Sequence, residues 1–164
     1  MSSSLRRNPS RRNFDELTAR KIIEAALGHE GPLLPILHAL QEAFGCVPRE
    51  AEPLIALALN LTRADVHGVV TFYHDFHRVP AGRHVLKLCR AEACQSMGSE
   101  ANARRLLDAL GIDWGGTTAD GSLTVEPVYC LGLCATSPSA LLDGEPLGRV
   151  GAEQLEALAA EAKR

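Results

Sequence analysis

Four of the five cysteines lie in two close pairs, and these residues are the best suited in the chain to metal or redox chemistry. Cys89 and Cys94 lie in CRAEACQSMG, whereas Cys130 and Cys134 lie in CLGLC. One pair alone could be apolar filler, since a free cysteine is often simply a small buried residue. Two pairs, in a chain with no recognisable export signal, predict a shared metal or redox site more than structural disulfides.

The spacing within each pair indicates which chemistry the thiols would do. Structural zinc sites favour tight C-x2-C knuckles, but here the spacings are C-x4-C and C-x3-C. Wider loops suit a two-iron cluster, in which each iron takes two thiolates. Small neighbours would let backbone N–H groups approach the sulfurs: Ala91, Ala93, Gly132 and Ala135. The lack of a C-x-x-C motif disfavours a thiol–disulfide enzyme. The residues therefore favour an iron–sulfur centre and leave zinc, reactive thiols and structural cysteines open.

Each cysteine pair begins at the end of a predicted strand. HVLKLC, residues 84–89, and SLTVEPVYC, residues 122–130, have the pattern of short strands. Between them, SEANARRLLDALG predicts a helix with Ser99 as a candidate N-cap and Gly111 as its end. Such a crossover is right-handed and joins parallel strands. Because neighbouring strands lie about 4.8 Å apart, we expect the four thiols to meet beyond the carboxyl ends of both strands.

The remaining segments complete one predicted sheet with helices against it. Asp143-Gly144 separates two short runs in SALLDGEPLGRV and indicates a hairpin. AEQLEALAAEAK predicts a closing helix, since its apolar residues recur on one side. The order of strand, helix, strand, hairpin and helix is typical of a single α/β domain, here over residues 84–164.

Residues 14–77 have a helical period instead. Apolar residues recur at helical spacing in FDELTARKIIEAAL, PLLPILHALQEAF, EAEPLIALALN and TRADVHGVVTFYHDF, and Thr62 and Asp65 are spaced as a capping pair. None of these helices would be stable alone. The sequence therefore predicts an α+β protein in which a small N-terminal helical bundle, a linker over residues 78–83 and the α/β domain follow one another.

Charge divides the chain into a basic tail and an acidic body. The first 13 residues carry four arginines and no acid, a charge of +4, whereas the whole chain is −3 and the remainder is therefore −7. We expect residues 1–13 to be a disordered, solvated tail. SRRNF lacks the apolar stretch of a twin-arginine signal, so we expect a cytoplasmic protein, with a mitochondrial presequence left open. The acidic body argues against nucleic acid as the partner. The sequence lacks a run of about 18 apolar residues, so we expect no membrane insertion.

The cysteine pattern also resembles a known family. C-x4-C followed by YCLGLC, with VHGVVTFYHDF upstream and GTTADG between them, is similar to the 24-kDa NADH dehydrogenase subunit family over residues 14 to 160. The resemblance implies a helical bundle followed by a thioredoxin-like α/β domain with one [2Fe–2S] cluster. It implies that the cluster ligands are Cys89, Cys94, Cys130 and Cys134. CRAEACQSMG is most similar to the gamma subunit of soluble, molybdenum-containing NAD-dependent formate dehydrogenases.

That resemblance implies a non-catalytic electron-transfer subunit of a hetero-oligomeric complex. Its partners would be a flavin- and NAD-binding subunit and a larger catalytic subunit, so FMN, NAD and the molybdenum cofactor are expected only on those chains. The glycines of LDALGIDWGGTTADG lack the Lys-Ser/Thr of a phosphate loop, which agrees with this division. The alternatives are the equivalent subunit of an NADH:quinone oxidoreductase or an NAD-reducing hydrogenase, and, in a different class, a zinc-stabilised interaction module.

Three further features have simpler interpretations. Cys46 is expected to be a free, buried thiol. His74 and His77 are expected on the surface or at an interface, at the end of the last predicted helix of the bundle, with His67 two turns before His74. Arg90 is either a solvated charge or a cation that stabilises the reduced cluster.

Overall fold

The computed structural model describes residues 13–163. These residues form two compact units that adjoin in sequence between Pro80 and Ala81. The basic tail expected over residues 1–13 lies, apart from its last residue, outside the described residues.

The first unit contains four helices: α1 (Glu16–Ala26), α2 (Leu33–Phe44), α3 (Ala51–Leu59) and α4 (Arg63–Phe72). The starts of α1 and α4 are set by side chains that satisfy free N–H groups. Asp15 accepts from the Thr18 N–H before α1. The capping box predicted before α4 is confirmed: Thr62 Oγ1 accepts from the Asp65 N–H at 3.1 Å, and Asp65 accepts from the Thr62 N–H at 2.9 Å. The apolar faces share a core whose largest fully buried residues include Ile36, Leu37, Leu40, Phe44 and Ile55.

Helix α4 ends earlier than the sequence predicts. Tyr73 has extended backbone and caps the helix, so His74 and His77 lie in the segment that follows it. The expectation that both histidines share the helix of His67 is therefore wrong. Apolar residues recur beyond Phe72 because Phe76 is buried in the same core, not because the helix continues.

A buried carboxylate stabilises the end of the first unit. Glu52 is 2% exposed, and its carboxylate lies 2.5 Å from Arg78 Nη1 and 3.2 Å from His67 Nδ1. Burial alone would raise the pKa of Glu52. The hydrogen bonds with Arg78 and His67 together lower the pKa by more than burial raises it, so the net pKa lies below its ordinary value. Arg78, expected in a linker, is thus tied to α3. Cys46 is free and buried in this unit, as predicted, and burial raises the pKa of its thiol.

The second unit is built around a four-stranded sheet in the order β2-β1-β3-β4. Its strands are β1 (His84–Cys89), β2 (Leu123–Val128), β3 (Ser139–Leu142) and β4 (Glu145–Gly148). The predicted parallel crossover is confirmed, since β1 and β2 pair in parallel with His84 opposite Leu123 and Cys89 opposite Val128. The predicted hairpin is also confirmed: β3 and β4 are antiparallel, and β3 runs antiparallel to β1.

Helices complete the second unit: α5 (Glu92–Ser96), α6 (Ser99–Leu110) and α7 (Ala152–Ala162). Helices α6 and α7 bury their apolar residues with the sheet in one core, which includes Leu86, Leu106, Leu123, Val125 and Leu155. Gly111 ends α6 in a left-handed conformation, as predicted. Ser99 is not the N-cap, however: Gly98 occupies that position, and the Ser99 hydroxyl is buried in the first turn. Among residues 13–163, no helix combines the length and apolar character needed to cross a membrane.

Candidate metal centre

The first two cysteines are buried next to the end of β1. Cys89 is the last residue of β1, and Cys94 lies in α5, with exposures of 3% and 2%. We call them the buried pair. Interaction with the Cys89 thiol is one of the causes that lower the pKa of Cys94. Helix α5 was not expected from the sequence, because its five residues are too few to show a period.

The other two cysteines lie at the surface, just beyond β2. The Arg90 N–H donates to the Val128 carbonyl at 2.8 Å, so β1 and β2 stay paired up to their carboxyl ends. Cys130 follows two residues later, and Cys134 begins a 3-10 turn. Both side chains are exposed, and we call them the exposed pair. The structure therefore places both pairs at the end of the parallel strands, as the crossover predicts.

The backbone turns sharply between the members of the exposed pair. Gly132 has φ 75°, which glycine adopts without strain, but Cys130 has φ 71°, which is uncommon for a residue with a side chain. Strained conformations of this kind concentrate at ligand sites, where the surrounding structure holds them. Here the turn brings the Sγ atoms of Cys130 and Cys134 to 3.8 Å from one another.

This sulfur–sulfur distance fits two thiolates on one metal ion. With metal–sulfur bonds of about 2.3 Å and tetrahedral angles, two ligand sulfurs lie about 3.8 Å apart. In the described part of the chain, no three Cys, His, Asp or Glu side chains form a group that could hold one metal ion. The thiols meet instead as two pairs, and a two-iron cluster requires two thiolates on each iron.

The charges of the other cysteines act on the thiol of Cys134. The pKa of Cys134 is raised, first by its hydrogen bond with Cys130 and the negative charge there, and further by the charges of Cys94 and Cys89. Four negative sulfurs at one edge repel each other, and positive metal ions would remove that repulsion. The donor set therefore fits a metal cluster.

The sulfur of Cys94 lies in a polar environment that favours its charged form. Burial acts to raise the pKa of this thiol, but hydrogen bonding, chiefly with Ser139 and Cys89, outweighs burial and lowers it. The Ser139 hydroxyl lies 3.4 Å from Cys94 Sγ, and Ser139 is the first residue of β3. The site is therefore prepared to hold this sulfur as a thiolate, the form that binds metal.

Comparison with known proteins agrees with this geometry. Residues 19–163 match the family described as "Thioredoxin-like [2Fe-2S] ferredoxin". The chain belongs to this family. The match confirms the predicted thioredoxin-like α/β fold and the resemblance to the 24-kDa subunit family, and a [2Fe–2S] cluster is the cofactor type that the family carries.

Several members of the family are similar over most of the chain. One subunit of the NADH-quinone oxidoreductase of Pseudomonas aeruginosa is 39% identical over 137 residues, which are 81% of this chain and 82% of that protein. The HndA subunit of the NADP-reducing hydrogenase of Solidesulfovibrio fructosivorans is 32% identical over 141 residues, 86% of this chain and 82% of that protein. A crystal structure of an NAD+-reducing [NiFe]-hydrogenase, in its air-oxidized state, aligns with a TM-score of 0.68 at 27% identity over 80% of this chain. The chain spans only 22% of that hydrogenase chain.

Arg90 is neither a solvated charge nor an unpaired cation. Its guanidinium donates to both carboxylate oxygens of Glu100, at 3.0 and 3.2 Å, and lies 4.9 Å from the centre of the Trp114 ring. The carboxylate offsets the positive charge. Arg90 therefore ties the end of β1 to α6, and its effect on a neighbouring cluster is reduced by its partner.

Sequence reasoning missed the serines of this site. Ser137 and Ser139 lie in TSPS, directly after Cys134 and Ala135. The Ser139 hydroxyl contacts the sulfur of Cys94, whereas the Ser137 hydroxyl donates to the Cys134 carbonyl at 2.7 Å. The sequence feature that could have predicted them is the position of small hydroxyl residues so close to a candidate ligand. The contact itself was not predictable from spacing, because Ser139 and Cys94 are 45 positions apart.

Proposed function

We propose that this chain is a one-electron carrier of a hetero-oligomeric oxidoreductase complex, with one [2Fe–2S] cluster held by Cys89, Cys94, Cys130 and Cys134. The observation that carries the proposal is the arrangement of these thiols as two pairs at the ends of two parallel strands. When bound, the cluster supplies one-electron oxidation and reduction. The chain itself supplies the ligands, their hydrogen bonds and their position.

The difference in exposure between the pairs supports a direction for electron exchange. Cys89 and Cys94 are buried, so the protein excludes water from that side of the site. Cys130 and Cys134 are exposed, so a redox partner can approach that side closely. We therefore propose that electrons enter and leave through the surface around the exposed pair.

The proposed partners are a subunit that binds FMN and NAD and a larger catalytic subunit. The relatives named above are subunits of NADH- or NADP-linked enzymes, and the similar solved structure reduces NAD+. We further propose that the catalytic subunit is a formate dehydrogenase with a molybdenum cofactor, which rests on the wording of CRAEACQSMG alone. The equivalent subunits of an NADH:quinone oxidoreductase or an NAD-reducing hydrogenase are the alternatives.

We also propose that two parts of the chain have different roles. Residues 84–164 would form the cluster domain, because all four proposed ligands lie there. Residues 14–77 would form a small helical bundle that docks on the flavin-binding subunit. Deletion of residues 1–77 should then abolish co-purification with that subunit while the cluster remains bound, and retained co-purification would contradict the docking role.

The cluster is tested on the purified full-length chain. Iron and sulfide analysis should give two of each per chain, and dithionite reduction should give a spin-half EPR signal with an average g below 2. Cys89→Ser should lose this signal. Cys46→Ser is the matched control, since Cys46 is also buried and free but lies in the first unit. A colourless protein with about one zinc and no iron would instead support the zinc-stabilised interaction module.

The substrate is tested on the complex rather than on the isolated chain. The tagged chain should co-purify with a subunit that contains FMN and one that contains molybdenum, and the complex should reduce NAD+ with formate. Co-purification with a nickel-containing subunit and activity with hydrogen would favour the hydrogenase alternative. Neither result changes the assignment of the cluster.

A further inference from the structure

Ser139 provides a fixed hydroxyl group beside the sulfur of Cys94. The Ser139 Oγ lies 3.4 Å from Cys94 Sγ, within hydrogen-bond range for sulfur, and the two residues are 4% and 2% exposed. Ser139 begins β3 and pairs with Gly148 of β4, so the sheet holds its backbone. The hydroxyl is therefore positioned by the fold and has little access to water.

A second buried hydroxyl lies in the same region. Ser99 is 8% exposed, and its Oγ has no hydrogen-bond partner among the described residues. Ser99 and Ser139 both line a small cavity, and Cys89 and Asn102 line it too. A buried hydroxyl without a partner costs free energy, and this one lies in a cavity that a proposed cluster ligand also lines.

We propose that Ser139 and Ser99 form a hydroxyl pocket behind the buried pair, which raises the reduction potential of the cluster. Ser139 donates to the sulfur of Cys94, and Ser99 supplies a free hydroxyl to the cavity that Cys89 also lines. Both act as positioning residues rather than ligands. This inference rests on the proposed function, because it presumes the cluster assigned there.

The sign of the effect follows from charge. Reduction adds one electron, and with it negative charge, to a site already surrounded by thiolates, and no bond to the protein forms or breaks. A hydroxyl dipole whose hydrogen points at a sulfur stabilises that added charge. In a buried site, water cannot replace a lost dipole, so the effect is larger there than at the surface. The hydroxyl pocket therefore favours the reduced state.

The experiment is an EPR-monitored redox titration of full-length, cluster-loaded variants. Ser139→Ala should shift the equilibrium toward the oxidised state about tenfold at fixed potential, which corresponds to about 59 mV for a one-electron couple. Ser139→Thr, which keeps the hydroxyl, should stay close to the parent. Ser99→Ala should shift the potential in the same direction by a smaller factor.

Ser122→Ala is the control for loss of a buried serine in the same unit. Ser122 is fully buried, and its hydroxyl lies 2.7 Å from Asp120 Oδ1 rather than near a cysteine. Its variant should keep the parent potential, even where its thermal stability falls. A shift in Ser122→Ala as large as that in Ser139→Ala would overturn the proposal.

The remaining outcomes separate this inference from the proposed function. A cluster-loaded Ser139→Ala protein with the parent potential would overturn the inference and leave the function intact. If Ser139→Ala binds no cluster, Ser99→Ala decides: a lower potential supports the hydroxyl pocket, and an unchanged one overturns it. A parent protein without iron would overturn the proposed function itself, and the hydroxyl pocket with it.

Discussion

Gly148 and Thr136 lie so close together that a Cβ atom on Gly148 would come within 2.7 Å of Thr136 Cβ and Oγ1. Gly148 ends β4, whereas Thr136 ends the 3-10 turn that begins at Cys134. Next to this contact, the Arg149 N–H donates to the Thr136 carbonyl at 2.7 Å. The missing side chain of Gly148 thus lets the loop of the exposed pair rest directly on the sheet.

Gly148→Ala should therefore weaken retention of the cluster. The added methyl group must displace Thr136, and overpacking of this kind costs about 1–3 kcal/mol. We expect loss of visible absorbance in excess chelator to be about tenfold faster than in the parent, since about 1.4 kcal/mol corresponds to a factor of ten. Gly151→Ala is the matched control, because nothing lies within 4 Å of a Cβ there. Equal rates for Gly148→Ala and the parent would show that Cys134 does not depend on this contact.

Because Arg90 and Glu100 form an ion pair, we expect substitutions at these two residues to change the reduction potential differently. Because the carboxylate offsets the guanidinium charge, Arg90→Gln should change the reduction potential less than Ser139→Ala does. Glu100→Gln leaves the cation without this partner next to Cys89, so it should raise the potential. Redox titration of both variants checks this. A large fall in the reduction potential of Arg90→Gln would mean that the guanidinium stabilises the reduced cluster even when it is paired with Glu100.

The general layout of the site could be predicted from the sequence because it depends on local pattern. A strand, a helix and a second strand in succession favour one hand for the crossover, which places Cys89 and Cys130 at the same edge. The spacing within each pair then favours two irons over one zinc ion. Neither step needs information about side chains distant in sequence.

The surroundings of the sulfurs could not be predicted in this way. Ser139 approaches Cys94 only because β3 lies next to β1 in the sheet, and nothing in the sequence near Cys94 encodes that neighbour. The end of α4 was mispredicted for a related reason. Phe76 is buried through tertiary packing, and its apolar character imitates a continued helical period.

Glu52 should make the first unit sensitive to acid. Its pKa in the folded state lies below the ordinary value of 4.5, so its stabilising effect is fully present above that pH and is lost as the pH falls through the folded-state pKa. Glu52→Gln removes the buried charge opposite Arg78 and should lower the free energy of unfolding by about 3 kcal/mol at neutral pH. The loss should shrink as the pH falls below 4.5, because the unfolded parent then binds a proton that the folded parent binds only at lower pH.

Urea unfolding followed by far-UV circular dichroism at several pH values measures both effects of Glu52→Gln. Glu42→Gln serves as the control, because Glu42 is exposed on α2 of the same unit. A difference between Glu52→Gln and the parent that stays constant from neutral pH to below 4.5 would contradict the linkage.

His84 and Asp143 connect the opposite end of β1 to the turn between β3 and β4. Asp143 Oδ2 lies 2.7 Å from His84 Nδ1, and Asp143 Oδ1 accepts from the Val85 N–H at 2.8 Å. Asp143 also has φ 52°, a left-handed conformation that Asp and Asn tolerate better than Ala. Its side chain and its backbone therefore both help to set the hairpin beside β1.

Three substitutions at Asp143 separate these two contributions. Asp143→Ala loses the hydrogen bonds and takes on backbone strain, so it should lower the free energy of unfolding by about 3 kcal/mol. Asp143→Gly loses the hydrogen bonds alone and should cost less, and Asp143→Asn, which keeps an acceptor and the backbone preference, should cost least. Urea unfolding followed by the fluorescence of Trp114, the single tryptophan and a residue of this unit, measures all three. If Ala and Gly are equally destabilising, backbone strain contributes nothing, and the whole loss of stability is due to the side-chain hydrogen bonds with His84 and Val85.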